Sequence, residues 1–73
     1  MYMDKFYSGL ANRIKTLREN EGLTQEKLAE KAEITLDYMG KIETQINKPG
    51  IKSMYRIATA LGLKMKDLFD FDY

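Results

Sequence analysis

The chain has 73 residues without a single cysteine or histidine, so it has no disulfide framework or thiolate metal site, and it lacks the commonest general base and zinc ligand. An apolar share of 44% beside 32% charged residues suits one folded globular domain rather than a disordered chain. The net charge of +1 hides an asymmetry: Asp67, Asp70 and Asp72 crowd the last seven residues, and residues 1–66 hold all twelve Lys and Arg against the other eight acids, a local balance of +4.

Alternating β-branched runs are missing, and apolar residues recur at helical spacing instead. The first helix is expected over residues 8–21. Leu10, Ile14 and Leu17 share one face there, Ser8 is the N-cap candidate, and Gly22 suits the left-handed residue that closes a helix. Ahead of it, Tyr2, Phe6 and Tyr7 leave three readings open: a dimer contact, a flexible start, or the packing of an extra turn. The second helix is expected over 25–32, capped by Thr24, with Glu26 in its first turn and Leu28, Ala29 and Ala32 facing inward. The third is expected over 36–44, capped by Thr35, with Asp37 in its first turn, Met39 and Ile42 buried and Tyr38 at the margin of the core.

Pro49 falls in the loop that follows, where it breaks nothing. The fourth helix, 51–61, places Ile51, Met54, Ile57, Ala58 and Leu61 on one face and ends at Gly62. The fifth is short, 65–69, with Leu63, Leu68 and Phe69 apolar. Helices of this length are marginal alone, so packing must hold them in a compact all-α, five-helix domain. The five methionines read as fillers of core gaps.

Residues 25–44 carry the most information. Ala29 is small where a second helix must approach, Ile34 follows the turn as a plug, and Leu28, Met39 and Ile42 complete a shared apolar seam. Two helices so joined cross steeply, and the second projects as a convex rod. Such a rod fits the major groove of DNA, about 12 Å wide, with its first residues at base edges.

Several runs, in order, resemble the Cro/C1-type (XRE) helix-turn-helix regulators, whose fold is the lambda-repressor-like five-helix bundle. They are Arg13-Ile14-Lys15-Thr16-Leu17-Arg18, then Gly22-Leu23-Thr24-Gln25-Glu26-Lys27-Leu28-Ala29, then Tyr38-Met39-Gly40-Lys41-Ile42-Glu43. Pro49, the run Arg56-Ile57-Ala58-Thr59-Ala60-Leu61-Gly62 and the closing Asp67-Leu68-Phe69 follow. The resemblance covers residues 10–69 and implies a single DNA-binding domain over 1–73, with the helix-turn-helix motif at 25–44.

It also implies roles. Gln25 matches a residue that hydrogen-bonds a DNA phosphate, with Thr24 adding a backbone contact; a plain surface glutamine is the alternative. Thr35, Leu36, Asp37, Gly40, Lys41 and Thr44 occupy the outward, base-facing positions of the recognition helix. Lys41 is the candidate for guanine, against the alternative of a solubilising lysine. Arg18 and Glu43 match a buried salt bridge between the first helix and the recognition helix. Asn47 and Lys48 lie in a loop that runs beside the DNA backbone. The chain departs from the family where Glu33 and Gln45 replace common glycines, and where Leu36, Asp37 and Gly40 replace the usual polar readers.

Double-stranded DNA is thus the expected partner, bound by a homodimer on a two-fold operator, with the apolar end 63–73 (Leu63, Leu68, Phe69, Phe71, Tyr73) as its dimerising tail. A protein-interaction module such as an antitoxin, with a protein partner, is the alternative. No nucleophile–base pair, metal ligand set or glycine-rich phosphate loop is present, so an enzyme, a cofactor and a metal are not expected. No run approaches the ~18 apolar residues of a membrane span, and residues 1–10 lack the apolar core of a signal peptide. The cytoplasm, at the nucleoid, is the expected location.

Overall fold

Apolar spacing closes five helices round one core in the structure, a computed structural model that describes residues 2–72. They are α1 Tyr2–Asn20, α2 Gln25–Ala32, α3 Leu36–Glu43, α4 Ile51–Ala60 and α5 Met65–Leu68. No strand occurs among the described residues. Leu10, Ile14, Leu28, Met39, Ile42, Ile57 and Leu68 are fully buried. Helix α2 packs on α3 and α4, α1 on α3 and α5, and α4 on α5.

Two of the three N-caps read from the sequence, Thr24 and Thr35, are in place. The Lys27 N–H donates to Thr24 Oγ1 at 3.1 Å, and the Tyr38 N–H to Thr35 Oγ1 at 3.0 Å. Each satisfies a donor that a helix start leaves over, a contribution of about 1 kcal/mol.

Helices α1, α2 and α4 end in the same way. A left-handed residue, Gly22, Glu33 or Gly62, lets the next N–H reach back five residues. Leu23 donates to Arg18 O at 3.0 Å, Ile34 to Ala29 O at 3.0 Å, and Leu63 to Ala58 O at 2.9 Å. The donor residue is in each case apolar and packs on the core. This is the Schellman closure with its hydrophobic contact. Glu33, at φ 58°, does with a side chain what glycine does without strain, and Gln45, at φ 66°, repeats this after α3.

Three expectations need correction. Helix α1 starts at Tyr2, not at Ser8, and Ser8 is an interior residue rather than a cap. Nothing in residues 2–8 breaks a helix, and the added turns have something to pack on. The Phe6 ring lies 5.2 Å from Tyr7, 6.0 Å from Phe69 and 5.8 Å from Phe71, centroid to centroid. For Phe6 and Tyr7 the extra-turn reading therefore holds; the side chain of Tyr2 lies outside the described residues. Second, Ile51 is exposed rather than inward: the buried arc of α4 is Met54, Ile57 and Ala58, and the core does not reach as far as Ile51.

Third, the apolar end is largely used within the chain. Leu68 is fully buried, and Leu63, Phe69 and Phe71 pack against the core. A Cβ added at Gly9 would overlap the Phe71 ring, so the glycine lets that ring lie on α1. Tyr73 is outside the described residues. Helix boundaries otherwise shift by one residue: Thr44, Leu61 and Phe69 are C-caps rather than helical residues.

Candidate nucleic-acid interface

Met39 and Ile42 anchor α3 in the core, which turns its opposite side outward. Thr35, Leu36, Asp37 and Thr44 are exposed there, and Gly40 and Lys41 are half-exposed. The six positions singled out from the sequence thus share the surface of one short helix. They differ in what they have left to offer.

Asp37 Oδ2 and Lys41 Nζ are 3.0 Å apart, one turn from each other, with both side chains open to solvent. Such a pair contributes little to stability, but it sets an anion beside the cation expected to read guanine. The Thr44 hydroxyl donates to Gly40 O at 2.8 Å, so it faces outward as an acceptor. A Cβ at Gly40 would meet only Gln25 Oε1, at an ordinary 3.6 Å. Packing therefore does not require glycine at this position.

The orientation of α3 is held from behind. Glu43 accepts from Arg18 Nε at 2.7 Å, from Arg18 Nη2 at 3.0 Å and from Gln25 Nε2 at 3.0 Å. Arg18 Nη1 donates to Leu23 O at 2.8 Å. The two charged side chains are 10% and 2% exposed. Every arm of the guanidinium and both carboxylate oxygens are used, as buried charges require. The hydrogen bond to Glu43 is the main cause that raises the Arg18 pKa above its ordinary value; burial opposes it, and the charges of Glu43 and Glu19 add to it. The network ties the end of α1, the first turn of α2 and the last turn of α3 together.

Gln25 is thus a structural residue as well as a candidate phosphate contact. With Nε2 on Glu43, its second amide hydrogen and its backbone N–H remain for a ligand. Thr24 is exposed, its hydroxyl oxygen serving as the cap. Asn47 is exposed, and its backbone N–H donates to Lys41 O at 3.1 Å, fixing the loop to the end of α3. Lys48 is exposed, and its Nζ lies 5.5 Å from the Tyr7 ring centroid.

Two supports escaped sequence reasoning. Tyr38 Oη and Ser53 Oγ lie 3.1 Å apart and join α3 to α4. Arg13 donates through Nη2 at 3.0 Å and Nε at 3.3 Å to the Asp67 carbonyl, joining α1 to α5. Both join residues distant in sequence, and the second ends on a backbone atom that no residue type signals. Among the described residues no group of acids could hold a metal ion, and no helix is long and apolar enough to cross a membrane.

A short helix carried across another, with one face in the core and the other bare, is the helix-turn-helix arrangement. Residues 14–68 match the family model described as helix-turn-helix, HTH_3. The chain belongs to this family of DNA-binding transcription regulators. It is 36% identical over 56 residues to an immunity repressor protein of Bacillus phage phi105; the match covers 77% of this chain and 39% of that protein, so the chain spans well under half of that relative. It is 32% identical over 63 residues to an HTH-type transcriptional regulator of Archaeoglobus fulgidus, covering 86% of this chain and 90% of that one. The solved structure of the restriction-modification controller protein C.AhdI from Aeromonas hydrophila superimposes with a TM-score of 0.82 at 27% identity, over 85% of this chain and 94% of that one.

Proposed function

We propose that the chain regulates transcription in the cytoplasm, at the nucleoid, by binding DNA as a homodimer on a two-fold operator, with α3 of each copy in the major groove. The observation that carries this is the bare outer side of α3, locked to the start of α2 by the Arg18–Glu43–Gln25 network. Thr35, Leu36, Asp37, Gly40, Lys41 and Thr44 face the bases. Leu36 offers an apolar contact suited to a thymine methyl, Asp37 an acceptor for a cytosine amino group, and Lys41 a donor for guanine. Thr24, Gln25, Asn47 and Lys48 hold phosphates. Phosphate contacts supply affinity that falls with salt, and base contacts supply discrimination. One recognition helix makes few contacts, so two half-sites about 34 Å apart are expected.

Selection of bound sequences from a random DNA pool at two salt concentrations tests this. Enrichment of an inverted repeat, weaker at high salt, supports it. Absence of any enriched sequence overturns it. In that case the Asp37–Lys41 pair, which cancels the charge expected to read guanine, favours a protein partner for the same surface.

A further inference from the structure

The outward side of α4 carries Ile51 and Tyr55 one turn apart, 69% and 61% exposed, and the loop leading into it carries Ile46, 69% exposed. These are the most exposed large apolar side chains among the described residues; the next, Leu36, belongs to the outer side of α3. Lys52 and Arg56 each follow one of the α4 pair by one residue, about 100° round the helix. An apolar row and a cationic row thus run side by side along the outside of α4. We propose that this face docks another protein through an acidic amphipathic helix, which brings apolar side chains one turn apart with Asp or Glu beside them. The inference goes beyond the DNA reading and does not rest on it.

Charge selects the occupant. The chain holds eleven acids, yet neither Lys52 nor Arg56 is in an ion pair among the described residues. Helix α4 has no acid of its own and no side chain capping its start, so nothing on it offsets the positive end of the helix dipole. A second copy set across a two-fold axis would bring these cations against themselves. Acids on a foreign helix meet both cations and the start of α4 together. The chain's own acidic end is already engaged: Phe71, between Asp70 and Asp72, lies against Gly9 of α1 and beside the Phe6 ring.

The apolar row separates a protein from DNA. Phosphates would satisfy Lys52 and Arg56 and leave Ile51 and Tyr55 bare. A ridge of side chains four residues apart instead fits the groove of a second helix. Tyrosine and arginine are also the side chains that carry most energy where proteins meet.

Area sets the strength. Two short rows on one helix make a patch smaller than the roughly 800 Å² that each partner of a stable complex buries, so the contact is weak and reversible. The contact between Tyr38 Oη and Ser53 Oγ joins α4 to α3. A partner seated on α4 is thereby held at a set position relative to α3.

Selection of peptides from a random displayed library against the immobilised chain tests this. The enriched sequences are expected to place acids beside two apolar residues one turn apart. A synthetic peptide of the enriched sequence is then titrated by fluorescence anisotropy. Ile51→Glu, checked for an unchanged melting curve, is expected to weaken its binding by about tenfold or more. Lys52→Glu is expected to weaken it by roughly fivefold and to accept the same peptide with its acids changed to lysine. Lys31→Glu, the same change of net charge at an exposed position of α2, is expected to leave it unaltered. No enrichment, or enrichment of neutral or basic peptides, overturns the proposal, as does a peptide indifferent to Ile51→Glu. Displacement of the peptide by duplex DNA gives the cations to phosphate and overturns a separate protein surface. Sedimentation showing a dimer that Ile51→Glu dissolves gives the patch to a second copy and overturns the foreign partner. Binding to phosphatidylglycerol vesicles that Ile51→Glu abolishes gives it to a membrane surface, with the same consequence.

Discussion

Glu43 grips Arg18 through both carboxylate oxygens, 2.7 Å from Nε and 3.0 Å from Nη2, across the boundary between α1 and α3. Glu43→Gln removes the charge and leaves the guanidinium buried without its counterion. The expected loss is about 3–5 kcal/mol, from a total that for a domain of this size is on the order of 4–11 kcal/mol. Urea denaturation followed by circular dichroism should show a variant close to unfolding. Replacing both partners, Arg18→Met with Glu43→Leu, should recover most of that loss. A Glu43→Gln variant within 1 kcal/mol of the native chain, roughly the worth of an ordinary hydrogen bond, contradicts this account.

The left-handed backbone at Glu33 and Gln45 gives the opposite kind of prediction. A side chain in this conformation costs roughly 1–2 kcal/mol, and glycine returns part of that gain as extra freedom of the unfolded chain. Glu33→Gly and Gln45→Gly should each raise stability by up to about 1 kcal/mol. Glu33→Ala should not. Thermal melts of the three variants decide the point, and equal effects of glycine and alanine at position 33 would remove backbone strain as the cause.

Gly40→Ala should separate stability from binding. A methyl group meets only Gln25 Oε1, at 3.6 Å, and alanine is favoured over glycine inside a helix by up to about 1 kcal/mol. The variant should melt higher. On the DNA reading it should also bind its operator more weakly, because the methyl fills the outer side of α3. A melt and a binding titration on one sample test both halves.

The ion pair on α3 leads to a fourth expectation. Asp37→Asn frees Lys41 of its neighbour at 3.0 Å and removes an anion from a surface that faces a polyanion, so affinity for non-specific duplexes should rise. Lys41→Ala should relax specificity at one base position by about 1–3 kcal/mol, and Lys48→Ala should weaken every sequence alike. Identical profiles for the two lysine variants would remove the division between reading bases and holding phosphate.

Much of this was legible in the sequence because it is local. Thr24 and Thr35 sit directly before apolar helical periods, and Gly22 and Gly62 directly after them, so caps and closures follow from residue type. Ser8 misled because a serine within a helix looks the same as one at its start. The difference lies in Phe69 and Phe71, more than sixty residues away, which give the earlier turns a surface to pack on. Ile51 misled because periodicity fixes the side of a helix but not how far the core reaches along it. At the candidate site the outward positions of α3 followed from spacing. The Gln25 amide on Glu43, the carboxylate beside Lys41 and the stacking of Lys48 on Tyr7 depend on side-chain directions that spacing leaves open.

The bare outer side of α3 has one more consequence. Its side chains take almost no part in holding the domain together: Leu36, Asp37 and Thr44 are exposed, and the helix is held by Met39, Ile42, Tyr38 and Glu43. On the DNA reading, scaffold and lettering are therefore carried by different residues of α3 and its C-cap. On that reading, a new set of letters grafted onto positions 36, 37, 40, 41 and 44 costs little in folding, so repertoire is gained by substitution alone.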